Sequence, residues 1–245
     1  MDNLPLPEQV IRVEREQNFC FSCHPQVPCF TDCCRELELA LTPYDVLRLR
    51  YATGLSSGRL LEQYIIVEQT DDDIFPRFYL TMIDDGRASC VFVSPKGCRV
   101  YEHRPGACRA YPTGRGAAVN RQGEMKDIFI LLKEGHCRGY EEPPSQTVFE
   151  YQQNQGLEKY NHFNDKTARI LQHQQVREGR KFTSGQIDYF TLALYDLDNF
   201  RKRLWQKELP STGQLTRLDY SRLEDDEALL DFGINWLLNE LFEKP

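Results

Sequence analysis

Five of the nine cysteines, Cys20, Cys23, Cys29, Cys33 and Cys34, fall within fifteen residues. A single thiol is commonly a small buried hydrophobe and needs no special account. Five together, on a segment rich in proline and polar side chains, cannot all fill a core. They are either oxidised to disulfides or coordinated to metal, and the rest of the chain has to be read against that choice. Nine is an odd number, awkward for a disulfide framework. The opening residues show neither the basic nor the apolar region of a secretory signal. The missing signal points to the cytoplasm, where thiols are kept reduced and stable disulfides are uncommon. Metal is therefore the favoured reading.

Composition limits the function classes. The chain has 245 residues, 40% hydrophobic and 27% charged, enough to bury a substantial core in one large domain or two modest ones. No apolar run approaches the ~20 residues a membrane span needs. A net charge of −7 argues against a general nucleic-acid binder. From Lys96 to Lys126, however, seven basic residues face two acidic ones, a local charge of +5 around Cys98 and Cys108. Arg99, Arg104 and Arg109 would there lower thiolate pKa values and offset the charge of a thiolate-bound metal.

Thiolate is the ligand form of cysteine, and four-sulfur sites in reduced compartments take zinc, iron or iron–sulfur clusters. The spacing Cys20-x2-Cys23-x5-Cys29-x3-Cys33-Cys34 is neither a common ferredoxin spacing nor the paired motif of a zinc ribbon. With Cys90, Cys98, Cys108 and Cys137 downstream, it is strong evidence for metal and poor evidence for which metal. His24 and His103 neighbour cysteines, but a histidine in a polar loop is more often solvated. Of the pair His136 and Cys137, the cysteine is the better ligand.

Along the chain, residues 1–18 read as an extended arm, 19–142 as the cysteine-cluster domain and 143–245 as a helical C-terminal region. Residues 36–41 alternate charged and apolar, which suits a short strand. Thr42, Pro43 and Asp45 form a strong helix start, with Gly54 as its stop. A second helix opens at Ser56 or Ser57. Residues 77–83 and 88–93 read as a hairpin turning at Asp85-Gly86, and Asp127 begins another strand. Helices are predicted over 145–177, 184–208 and 222–243, with capping boxes at Thr183–Gln186 and Ser221–Glu224. The last sets Leu229, Leu230, Ile234, Leu237, Leu238 and Leu241 on an apolar stripe. The predicted fold class is α+β: a small cysteine-rich metal-binding core with a short β-hairpin or sheet, followed by a mainly helical lobe. That lobe covers the core or holds a protein or peptide partner. Trp205 and Trp236 read as core.

The second motif, Cys98-x2-Tyr101-Glu-x-Arg104-Pro105-x2-Cys108-Arg109-x-Tyr111-Pro112, together with the first cysteine run, resembles the CxxCxxCC family. Its members are YkgJ-type cysteine cluster proteins of bacteria, described as zinc- or iron-chelating. The resemblance covers about residues 19–140. It implies a chelating set of Cys23, Cys29, Cys33, Cys34, Cys90, Cys98, Cys108 and Cys137, with Cys20 an extra. The first gap here is five residues rather than two and the second three, so either Cys20 or Cys23 can take the first ligand place. The implied cofactor is an Fe–S cluster, [4Fe–4S] foremost, or Zn²⁺. A related class, the flagellin lysine N-methylases, carries a similar cysteine constellation and uses S-adenosylmethionine. On that alternative Arg104, Arg109 and Tyr111 line a cofactor or substrate site, although no S-adenosylmethionine signature is visible. A structural zinc adaptor is the third reading.

Overall fold

A computed structural model describes residues 7–119, 125–213 and 215–243. It is α+β, with ten α-helices among the described residues, small sheets and a helical C-terminal region. The chain divides into two compact units, each discontinuous in sequence. One comprises Met1–Leu37 and Met82–Asn161, the other Glu38–Thr81 and His162–Pro245. No described helix is long and apolar enough to cross a membrane.

All nine cysteines lie in the first unit. Its main sheet is antiparallel, with Met125–Leu132 central between Val10–Val13 and Thr113–Val119. The N-terminal arm is thus tied down as an edge strand, from Val10 opposite Leu132 to Val13 opposite Phe129. Asn18–Cys20 pairs antiparallel with Ser145–Thr147. Val13, Phe19, Phe21, Leu131, Val148 and Tyr151 form the apolar cluster beneath, with Tyr111, Phe129, Cys137 and Tyr140 against it. Thr147 caps the Val148–Asn154 helix through a reciprocal box with Glu150. Gly156, at φ 65, then ends that turn, so the helix predicted over 145–177 is broken into Val148–Asn154, Glu158–Leu171 and Gln174–Arg177. The left-handed backbone that glycine tolerates cannot continue a right-handed helix.

The second unit rests on local signals that work as expected. Thr42 and Asp45 form a capping box, Pro43 occupies the first turn, and Gly54 closes the helix Pro43–Thr53 at φ 69. Thr183 and Gln186 likewise cap Ser184–Leu194. Gly233 lets Asp226–Leu238 approach that helix closely, since a Cβ there would meet the Ala193 carbonyl oxygen at 2.6 Å. Leu229, Leu230, Ile234, Leu237 and Leu241 are buried as the stripe requires, with Leu238 partly so. Trp236 is buried, and its Nε1–H donates to the Pro210 carbonyl at 3.0 Å.

Three expectations are corrected here. Residues 36–41 form no strand: Glu36 sits at φ 53, and only Ala40 makes an isolated bridge, to Tyr79. Arg77–Leu80 pairs with Ile65–Glu68 rather than across the Asp-Gly turn. That turn joins only Met82–Ile83 to Ser89–Cys90. The box expected at Ser221 lies at Thr216 and Asp219, and Asp225 caps the following helix.

Candidate metal centre

The five-residue spacer after Cys23 is wound into consecutive turns. Val27 N–H donates to His24 O at 3.0 Å, Phe30 N–H to Val27 O at 2.9 Å, and Asp32 N–H to Cys29 O at 2.9 Å. Thr31, at φ 70, reverses the chain into the single 3-10 turn Asp32–Cys34. Val27, only 3% exposed, anchors the loop in the protein. The winding is why a spacing longer than the family's still brings Cys23, Cys29 and Cys33 to one pocket.

Cys137 completes that pocket from more than a hundred residues away. Its lining is Phe21, Cys23, Cys29, Cys33, Tyr111, His136, Cys137 and Gly139. Phe21 makes the floor, 4% exposed, with edge-on rings of Tyr140 at 5.4 Å, Tyr151 at 6.0 Å and Tyr111 at 6.1 Å. Ser22 N–H donates to Gly139 O at 3.0 Å, tying the two cysteine segments together. A Cβ on Gly139 would stand 2.6 Å from Phe21 Cε2 and 2.9 Å from Ser22 O, so only glycine fits there. Arg138 N–H donates to Cys29 Sγ at 3.1 Å, a main-chain donor aimed at a sulfur.

The sulfurs feel one another. Burial, then the neighbouring charges of Cys33, Cys29 and Cys137, push the Cys23 thiol up to about 11, against a smaller pull from Arg104. Cys33 is raised further, by its hydrogen bond with Cys34 and by burial. Burial also raises Cys137, while the Tyr111 hydroxyl pulls it down. Crowded thiols resist ionising together, and a bound cation is what would reverse that cost.

A second group lies beside the first. Cys90 ends the strand Ser89–Cys90, and Cys98 pairs with Val93 in a tight hairpin. Both are raised chiefly by burial; Cys98 raises Cys90, and Cys33 raises Cys98. Cys33 therefore acts electrostatically on Cys98 as well as on Cys23. Cys108 lies in the short helix Gly106–Ala110, outside the pocket lining. Cys20 is exposed on its strand, and also outside that lining. None of the nine cysteines joins another in a disulfide.

The two predicted arginines act as struts. Arg104, 8% exposed, donates to Tyr101 O and to Gln155 Oε1, each at 2.6 Å, and its guanidinium lies 3.8 Å from the Tyr101 ring centroid. It also draws Cys23 and Cys98 downward, as Arg99 draws Cys90 and Cys98. Arg109 donates to Tyr160 Oη at 3.1 Å and to Gln155 O at 2.8 Å. Tyr111 does face the pocket, and donates from its hydroxyl to Glu134 Oε2 at 2.8 Å. His24 turns aside to Gln26 Oε1 at 2.8 Å. Two features had no sequence signal of their own: Phe21 as the pocket floor, and Glu134, an ordinary acid three residues before Cys137 that accepts from Tyr111 outside the lining.

Among the described residues, no group of three or more His, Cys, Asp or Glu side chains meets the geometry of a closed metal site. The donor chemistry nonetheless fits a thiophilic metal, with four thiols and a histidine around one pocket. Such a cysteine-lined pocket on a small α+β scaffold defines a thiolate metal-binding class. The CxxCxxCC family, described as "Putative zinc- or iron-chelating domain", matches residues 22–168, and the chain belongs to it. No curated protein and no solved structure matches the chain.

Proposed function

We propose that this protein holds zinc or iron in a four-sulfur centre made by Cys23, Cys29, Cys33 and Cys137. The supporting observation is that these four thiols, from two segments far apart in sequence, line one pocket. The family resemblance would add Cys34, Cys90, Cys98 and Cys108 to the chelating set, and of these Cys34 and Cys98 interact electrostatically with Cys33. The choice of Cys23 over Cys20 rests on Cys23 facing the pocket while Cys20 lies in a strand outside the family match. Bound metal would favour the thiolate forms that crowding now disfavours, and so would stabilise the loops that carry them.

Four thiolates suit Zn²⁺ and [4Fe–4S] alike. Purification without oxygen, followed by assay of zinc, iron and acid-labile sulfide, separates them. Iron with matching sulfide and absorbance near ~400 nm identifies the cluster, and zinc without sulfide identifies the single ion. Preparations with neither metal, even after reconstitution, would overturn the proposal.

A further inference from the structure

We propose that the open edge of the strand Ile65–Glu68 takes up a basic, extended segment of another protein as an added strand. The edge lies in the unit that holds no cysteine, so it stands apart from the metal reading. Arg77–Leu80 is the middle of this small sheet. On one side its Phe78 carbonyl accepts the Leu41 N–H at 2.7 Å, and its Leu80 N–H donates to Leu39 O at 3.0 Å. On the other, the Thr81 N–H donates to Tyr64 O at 2.9 Å, and the register runs on through Ile66 opposite Tyr79 to Glu68 opposite Arg77. Hydrogen-bonded and non-hydrogen-bonded pairs alternate along an antiparallel ladder. Tyr64, Ile66 and Glu68 therefore bond inward, and Val67 turns its N–H and C=O to the open edge. Among the described residues no further strand pairs there.

The edge carries neither lysine nor proline, two of the guards that keep a strand from pairing with another chain. Ile66 and Val67, 45% and 51% exposed, offer one apolar side chain to each face of an added strand. The surroundings are acidic. Between Arg59 and Arg77 the chain has Glu62, Glu68, Asp71, Asp72 and Asp73 and no lysine or arginine. Asp73 is taken by Arg77 and by Thr70, whose N–H and hydroxyl donate to it at 3.2 and 2.8 Å and fix the turn. Phe75, stacked on Phe190 at 4.4 Å, pins that turn to the unit. Glu62, Glu68, Asp71 and Asp72 are exposed and make no ion pair among the described residues. A second copy would set these acids against its own, whereas a lysine-bearing strand would complement them. In strand addition, main-chain hydrogen bonds supply affinity and alternate side chains supply selectivity.

The test titrates three short fluorescein-labelled peptides with the full chain and follows anisotropy. One alternates lysine with valine, the second has glutamate for lysine, and the third keeps every lysine but has proline for valine. The first is expected to bind saturably and less tightly as salt is added, the other two about 10-fold or more weakly. V67P removes the outward N–H and sets a ring where the added strand would run, while the inward bonds to Arg77–Leu80 stay. It is expected to weaken the lysine–valine peptide about 10-fold or more. The exposed pair D71K/D72K, expected to weaken it too and to flatten its salt dependence, decides the matter if V67P fails to fold. Equal binding of the glutamate or the proline peptide, no binding of any, or binding unmoved in the folded variants would overturn the proposal. So would a wild-type dimer in sedimentation that V67P dissociates, since the edge would then belong to a second copy.

Discussion

Cys33 faces the pocket with Cys23, Cys29 and Cys137 and also acts electrostatically on Cys98. Cys33→Ser should therefore lower metal content per chain, whereas Cys20→Ser should leave it near the wild-type value; elemental analysis of both variants checks this. Equal metal content in wild type and Cys33→Ser would remove Cys33 from the ligand set. Gly139 offers a test of the scaffold alone. Adding a methyl forces the Phe21 ring or the Ser22 carbonyl to move, so Gly139→Ala should cost about 1–3 kcal/mol in urea denaturation. At this scale the site was half legible. Cysteines and Tyr111 carry chemistry in their own names, so their candidacy could be read directly. Which four sulfurs share a pocket could not, because that depends on the Thr31 reversal and on the Ser22–Gly139 hydrogen bond, neither of which leaves a pattern. Glu134 looks like any loop acid until Tyr111 is seen to reach it.

Elements were legible where the signal is local and obscure where pairing decides. The Thr42 and Thr183 boxes each place an acceptor three residues before a matching side chain, and both helices start there. Thr147 and Thr216 carry the same signal, yet the longer periodic runs around them masked it. Arg77–Leu80 is extended as its residues suggest, but its partner is chosen by burial of Phe78 and Leu80 against Leu39 and Leu41 rather than by the nearest turn. The helix Asp226–Leu238 is held to Pro43–Thr53 and Leu197–Trp205 by charge. Arg50 binds Asp198 at 2.9 Å and also Asp226, which Arg201 meets as well. Burial works against the Asp226 carboxylate, but the hydrogen bond from Arg201 and the charge of Arg50 outweigh it and hold its pKa below the usual range. A depressed folded pKa means the stability is fully present above the unfolded value of about 4 and is lost as pH falls through the folded one. Asp226→Asn should thus cost about 1–3 kcal/mol at neutral pH and remove that share of the acid sensitivity. Urea midpoints measured from pH 7 down to pH 3 check it, and an unchanged acid slope would contradict it.

Seen as a whole, the chain passes between its two units three times, after Leu37, after Thr81 and after Asn161. The cysteines stop at Cys137, so the sequence hints at a boundary near residue 142. Nothing in the residues around 37 or 81 announces that Glu38–Thr81 joins the helices of 162–245. Side chains far apart in sequence make that union, among them Tyr44, stacked on Phe163 at 4.7 Å and donating to Glu227 at 2.8 Å. Since all nine thiols lie in the first unit, removing metal should loosen that unit selectively. Hydrogen exchange with and without chelator should show lost protection in 7–37 and 82–161, and little change in 38–81 and 162–243. The central claim, that sulfurs from both ends of the first unit close on one metal, is tested most directly by thiol alkylation. Full-length protein purified without oxygen is alkylated before and after chelation, each peptide is read by mass spectrometry, and bound zinc and iron are assayed in parallel. The account predicts stoichiometric metal, with Cys23, Cys29, Cys33 and Cys137 shielded together until the chelator releases them, while Cys20 reacts at once. Four thiols that react as fast as Cys20 in a metal-free preparation would contradict it.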